Sequence, residues 1–307
     1  MTAVRALVFD PGAPAGLRLG DTQDPVPGPS QALVRVGATS LNFADVAFLR
    51  DRKAPGAVPG FDAAGVVVSA AVDGSGPPVG AQVVTFGWSG GWAELRAVET
   101  TEVAVVPEGV DTGLAAAVPV AGVTALRALR RLGSLMGRRV LITGASGGVG
   151  RFAVQLGARA GAHVVASAGS PQRGEGLAAL GAAEVVTGLD GVAQPVYAAL
   201  DTVGGRTLSQ AYALLEAGGC VQSVGMASLE PTSIDFEQAR LRGGGRIEAF
   251  TVGDHFGPDL AYLIGLVAAG DLDPQVGWRG PWHEASDAVA ALMDRKVQGK
   301  AVLEVSS

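Results

Sequence analysis

Apolar residues in the first 118 positions come in short runs broken by Gly and Pro: Ala3–Phe9, Gln31–Ala38, Ala63–Ala70, Gln82–Phe86 and Ala93–Val98. Runs of this length, bounded by turn residues, predict the strands of a β-rich, barrel-like unit. Pro25, Pro27 and Pro29 mark an early loop, and Leu114–Leu132 turns mostly helical after Pro119. From Gly137 the period alternates. Strands are predicted at 139–143, 163–167, 184–186, 196–200, 219–224 and 246–252, and helices at 148–160, 171–180 and 206–216. That alternation predicts a right-handed, doubly wound parallel α/β sheet. Beyond 253 come helices at 257–269 and 284–297 and a closing strand, Ala301–Val305. With no helix after it, this strand is expected to return to the first unit and make that unit discontinuous.

The most informative stretch is Val140–Gly150. Val140, Leu141, Ile142 and Thr143 read as a buried strand, and Gly144, Gly147, Gly148 and Gly150 follow at once. Val149, Phe152, Ala153, Leu156 and Ala160 then fall on one helical face. Strand, glycine turn and helix is the context that seats a dinucleotide. Glycines let the backbone approach a pyrophosphate, and the helix N-terminus offers free N–H groups and a positive dipole end. Ser146 and Val149 sit inside the turn and join its glycines as expected cofactor contacts.

The second strand chooses between cofactors. A carboxylate at its tip would bind a ribose 2′-hydroxyl, but no Asp or Glu occurs between Gly150 and Glu175. The tip instead carries Gly169, Ser170 and Arg173. A hydroxyl and a guanidinium hold a 2′-phosphate that a carboxylate would repel, so NADPH is expected over NADH. The alternative is that Arg173 is a solvated first-turn helix residue.

Composition narrows the class without changing the picture. The 307 residues include 46 Gly and are 48 % hydrophobic, which suits a turn-rich globular chain with room for two domains. A net charge of −6, with no block of like charge, argues against a nucleic-acid surface. Arg127, Arg130 and Arg131 read as the exposed face of one helix. Cys220 is the single cysteine, so no intrachain disulfide is possible, and a reducing cytoplasm is expected. Neither a signal-peptide pattern nor an apolar run of membrane-spanning length is apparent.

Several motifs taken together resemble the medium-chain dehydrogenase/reductase superfamily, in its zinc-independent quinone oxidoreductase and enoyl reductase branch. They are LNFADV (Leu41–Val46), PGFDAAGVV (Pro59–Val67), GGWAEL (Gly90–Leu95), AGVTALRAL (Ala121–Leu129), GASGGVG (Gly144–Gly150), LDTVGG (Leu200–Gly205) and GKAVLEV (Gly299–Val305). The resemblance implies a GroES-like catalytic domain over 1–120 and 253–307 and a Rossmann NADPH-binding domain over 121–252. It also implies homodimers joined through the Rossmann sheet edge and a small-molecule acceptor. The zinc-dependent branch places its histidine in a Gly-His-Glu motif, which here reads Gly60-Phe61-Asp62. The β-rich part holds no Cys or His, so no metal is expected. The short-chain reductases share a similar glycine turn but require Tyr-x-x-x-Lys. Tyr197, Tyr212 and Tyr262 are followed four places on by Asp201, Glu216 and Leu266.

Without a metal, hydride transfer needs an acceptor that already delocalises charge: a quinone, an enone or an enoyl thioester. The site then needs donors at that oxygen and correct spacing. Asn42 is the first candidate, because similar quinone reductases carry Asn at this place; Thr124 is the second. Each also has a purely local role open to it, in a turn or as a helix residue. Asp45 reads as structural. Ala47 stands where several of those reductases have Tyr, which removes the obvious proton donor. Phe43, Phe48, Phe61, Trp88 and Trp92 are lining or core residues, and His255 is a further candidate donor or a surface turn. Val203, Gly225, Met226, Phe250, Thr251 and Val252 end sheet strands, where backbone groups are expected to meet the nicotinamide half. The rival functions are an enoyl-thioester reductase of fatty acid or polyketide-type metabolism and a non-catalytic NADPH-binding protein.

Overall fold

A computed structural model describes residues 3–305. The chain forms two compact units: residues up to Val123 together with those from Asp254 onward, and Thr124–Gly253. It opens with β1 (Ala3–Phe9), β2 (Leu17–Gln23) and β3 (Gln31–Leu41), then short helices α1 (Phe43–Ala47) and α2 (Leu49–Arg52). β4 (Asp62–Ser69), β5 (Gln82–Phe86), β6 (Leu95–Glu99), β7 (Val103–Val105), α3 (Thr112–Ala116) and α4 (Pro119–Arg131) follow. The second unit continues with β8 (Arg139–Ile142), α5 (Gly148–Arg159), β9 (His163–Ala168), α6 (Pro171–Gly174), β10 (Glu184–Thr187) and β11 (Val196–Asp201). It closes with α7 (Gly205–Ala213), β12 (Leu215–Ser223), α8 (Phe236–Leu241) and β13 (Arg246–Ala249). The chain returns to the first unit as α9 (Gly257–Ala268), β14 (Val276–Pro281), α10 (Ala285–Met293) and β15 (Lys300–Glu304).

The second unit is a parallel six-stranded sheet in the order β10-β9-β8-β11-β12-β13. Its strand order reverses between β8 and β11, and in open α/β sheets ligands bind beyond the carboxyl ends of the strands at that point. Val140, Leu141 and Ile142 of β8 are fully buried, as expected of a central strand covered on both faces. Each such side chain contributes roughly 1.5–3 kcal/mol by leaving water.

In the first unit β3 is the spine. It pairs with β4 along one edge and with β6 and β15 along successive halves of the other, all antiparallel. The closing strand lies against the end of β3, with Ala301 opposite Leu41. The core around it gathers Leu7, Phe9, Leu41, Trp92, Trp282 and Leu303.

Three expected elements are cut short. The helix predicted over 171–180 stops at Gly174, because Glu175 leaves the helical region with ψ 138° and Gly176 has φ +79°. The strand predicted over 246–252 ends at Ala249; Phe250 still donates its N–H to Ser223 O, and the chain then leaves the sheet. The helix predicted over 284–297 ends at Met293, with Arg295 at φ +59°. Among the described residues no helix is long and apolar enough to cross a membrane.

Candidate dinucleotide turn and buried polar cluster

The glycine turn of the second unit is held at both ends by Asp201, the last residue of β11. Its buried carboxylate accepts from Thr143 Oγ1 at 2.5 Å and from Gly204 N at 2.8 Å. Thr202 returns the tie, donating its N–H to Thr143 Oγ1 and its Oγ1 to Thr143 O. Burial, the largest influence, raises the Asp201 carboxyl above its ordinary range. This brace places the ends of β8 and β11 side by side and leaves the turn between them no slack. Gly144 has φ +58°, and a Cβ there would lie 2.3 Å from Thr202 Oγ1. At Gly150 a Cβ would lie 2.4 Å from Gly144 O and 2.6 Å from Ala145 Cα. Gly148, Val149 and Gly150 form the first turn of α5, so their N–H groups have no intrahelical acceptor and point out as a cradle for an anion.

Arg173 reaches back to this turn. Its Nε donates to Ser146 Oγ at 3.1 Å, and Ser170 caps α6 by accepting from Arg173 N. A second guanidinium converges on the same serine: Arg151 Nε donates to Ser146 O at 3.4 Å and Nη2 to Glu175 O at 3.0 Å. Neither Asp201 nor Arg151 stood out in the sequence. The LDTVGG motif contains the first, and its position at the end of a strand opposite Thr143 was the available signal.

Val203, Gly225 and Met226 gather around the same strand ends. A Cβ on Gly144 would come within 3.1 Å of Val203 Cγ2, and one on Gly225 within 2.6 Å of Thr202 O. Phe250, Thr251 and Val252 form an arm leaving β13. Of the three arginines expected as an exposed face, Arg130 and Arg131 are exposed and Arg127 is half-buried; Arg127 and Arg131 also reach that arm. Arg127 Nη1 donates to Val252 O at 2.6 Å, Arg131 Nη2 donates to Thr251 O at 3.1 Å, and the Arg131 guanidinium lies 4.6 Å from the centre of the Phe250 ring. Thr124 is buried in α4, and its hydroxyl makes no hydrogen bond among the described residues. Gly169, at the tip of β9, is exposed with open space around it.

Asn42 belongs to the first unit and is the hub of a buried polar cluster. Its Nδ2 donates to Asp45 Oδ2 at 3.0 Å and to Asp62 Oδ2 at 2.9 Å, and its Oδ1 accepts from Lys300 Nζ at 2.5 Å. An amide between two carboxylates and an ammonium can take only this orientation. Lys300 Nζ also donates to Leu41 O and lies 3.3 Å from Asp62 Oδ2. Asp62 further accepts from Ser40 Oγ and from Val120 N at the start of α4. Both amide hydrogens of Asn42 are therefore engaged inside the protein. Burial first, and the Asp62 charge second, push Asp45 up to about 7; its Oδ1 is buried without a partner.

The aromatic residues sort by contact. Trp92 is fully buried and lies over Gly60, where a Cβ would stand 2.2 Å from its ring. It is core. Phe61 and Phe86 meet the half-exposed Trp88 edge-on, and Phe86 stacks on Phe256 with centroids 3.7 Å apart. Trp88 Nε1 donates to Asp254 Oδ1. Phe43 and Phe48 are half-buried, and Phe48 carries Arg52 over its ring. His255 is exposed at φ +60°; its N–H and that of Phe256 are both held by Glu102.

These residues do not fit a catalytic zinc ion. The Phe61 side chain has no donor atom to offer a metal, and the neighbouring Asp62 already serves Ser40, Asn42, Val120 and Lys300. No cluster of three metal-binding side chains exists among the described residues.

The alcohol dehydrogenase GroES-like domain matches residues 28–108, and the zinc-binding dehydrogenase family matches residues 180–303. Over 94 % of its length the chain is 33 % identical to erythronolide synthase EryA2 of Saccharopolyspora erythraea, of which it spans only 8 %. The quinone oxidoreductase from Coxiella burnetii superposes with a TM-score of 0.86 at 27 % identity, covering 99 % of this chain and all of that one. A mycobacterial protein solved in complex with NADPH superposes with a TM-score of 0.88 at 25 % identity, over 98 % of this chain and 100 % of its own.

Proposed function

Because the chain belongs to the medium-chain dehydrogenase/reductase superfamily, we propose that it is a zinc-free reductase using NADPH to reduce a quinone or an α,β-unsaturated carbonyl. The observation that carries this reading is the glycine turn with Ser146, Ser170 and Arg173 beside it. A bound reduced nicotinamide would supply the hydride. The N–H groups of Gly148–Gly150 hold the pyrophosphate, and the Arg173 guanidinium with the two serine hydroxyls holds the 2′-phosphate. Thr124 offers an unpartnered hydroxyl to the reactants. Asn42 acts at one remove, as a positioning residue that keeps Asp45, Asp62 and Lys300 in register. An acceptor that delocalises charge onto its own oxygen suits a site with no metal donor set.

The experiment is NADPH oxidation by the purified protein with quinones, free enones and acyl thioesters. Turnover of quinones or enones is expected, together with a preference for NADPH over NADH that Arg173→Ala reduces by about tenfold or more. Tight NADPH binding without oxidation by any acceptor would identify a non-catalytic binding protein. A second reading, an enoyl-thioester reductase, is favoured by the identity with a segment of erythronolide synthase. Turnover confined to acyl thioesters would select it. We also propose a homodimer contact at β13, which among the described residues pairs with β12 alone and leaves Arg246, Ile247 and Ala249 exposed. Sedimentation of a monomer at micromolar concentration would refute that contact.

A further inference from the structure

We propose that Arg127 and Arg131 are positioning residues that set the nicotinamide-facing arm Phe250–Val252 for the cofactor; this rests on the NADPH reading above. Two guanidinium groups one helical turn apart on α4 bond the carbonyls of consecutive residues, Val252 O at 2.6 Å and Thr251 O at 3.1 Å. Arg131 also covers the Phe250 ring. Below this grip the arm is tied to the sheet, because Phe250 N donates to Ser223 O. Above it, Gly253 has φ +73°, a left-handed conformation that lets the chain turn away.

The polarity of the grip decides what the arm can do. Arginine has donors only, so it occupies carbonyls and leaves N–H groups alone. The N–H groups of Thr251 and Val252 make no hydrogen bond among the described residues. An arm with engaged acceptors and unpaired donors suits an acceptor atom of the ligand, and the nicotinamide end provides one in its carboxamide oxygen. Neither arginine touches the reacting atoms; each acts through the backbone it holds. An unrestrained arm would sample orientations in which those N–H groups turn to water, and binding would then have to order it.

The test compares two ligands of the full-length protein by calorimetry. NADPH carries a nicotinamide; 2′,5′-ADP carries the adenine ribose and the 2′-phosphate but no nicotinamide. In Arg127→Ala the NADPH dissociation constant is expected to rise about tenfold, the scale of one charged hydrogen bond, while that for 2′,5′-ADP stays within about twofold. Arg127→Lys, which retains one donor, is expected to recover part of the loss. Arg131→Ala is expected to shift NADPH in the same direction, and it provides a second variant if Arg127→Ala does not fold. Unchanged NADPH affinity in both alanine variants would overturn the proposal. So would an equal loss of both ligands, which is the signature of a loosened unit and not of a misplaced arm. A wild-type protein that binds neither ligand would overturn the NADPH reading and this proposal with it. If the wild type binds both and the variants match it, the role of the two arginines alone fails.

Discussion

Gly150→Val is expected to abolish NADPH binding while leaving the first unit folded. The new Cβ would stand 2.4 Å from Gly144 O and 2.6 Å from Ala145 Cα, and both are backbone atoms with no rotamer to change. The turn must open, and the N–H groups of Gly148–Gly150 then no longer converge on one point. Losing two charge-assisted hydrogen bonds weakens binding by about a hundredfold or more. Titration of the reduced nicotinamide's fluorescence measures this, and retention of near-wild-type affinity would refute the role given to the turn. Gly147→Ala separates ligand from protein. Its Cβ meets nothing closer than Gly144 O at 3.4 Å, so the chain alone tolerates it, and any loss of affinity reports contact with the dinucleotide.

The second large effect is on stability. Lys300 is 2 % exposed, and its ammonium faces Leu41 O, Asn42 Oδ1 and Asp62 Oδ2. Lys300→Met removes the ammonium that touches the buried Asp62 carboxylate, a change expected to cost about 3–5 kcal/mol. Urea unfolding reads it directly, and the double variant Asp62→Asn/Lys300→Met should lose less than the sum of the two singles. A cost below about 1 kcal/mol would show that the cluster is wetter than it looks. Asp45 adds a pH dependence. Its folded value, about 7, lies above the ordinary 3.8, so the folded protein holds a proton that the unfolded chain has lost. Its contribution is therefore fully present below about pH 4 and falls away as the pH rises toward 7. Asp45→Asn should flatten the stability profile across that interval.

The parallel sheet was legible because a strand covered on both faces reads as a continuous apolar run, as Val140–Ile142 does. Strands β2 and β14 were not. Gly20 and Asp21 in the first, and Gly277, Gly280 and Pro281 in the second, read as turn chemistry that pairing with β1 and β15 overrides. At the site, Asn42 could be picked out but the partners it meets could not. The Lys300 that fills its carbonyl is 258 residues away, and no local pattern announces that meeting. The three arginines of α4 show the opposite limit. Their spacing marks one helical face, but not that Thr251 and Val252 present carbonyls to two of them. Trp92 reads as core or lining with equal ease until Gly60 is seen beneath it.

The pairing of β15 with β3 constrains the order in which this protein matures. Thr124–Gly253 is continuous in the chain and can fold as soon as it has left the ribosome. The earlier residues cannot finish: β3 waits for its neighbour, and Asp62 for its ammonium, until Lys300–Glu304 have been synthesised. Until then the Leu41 edge is an open template for foreign strands. Nascent chains stalled a few residues short of 300 should therefore be the species that chaperones hold longest.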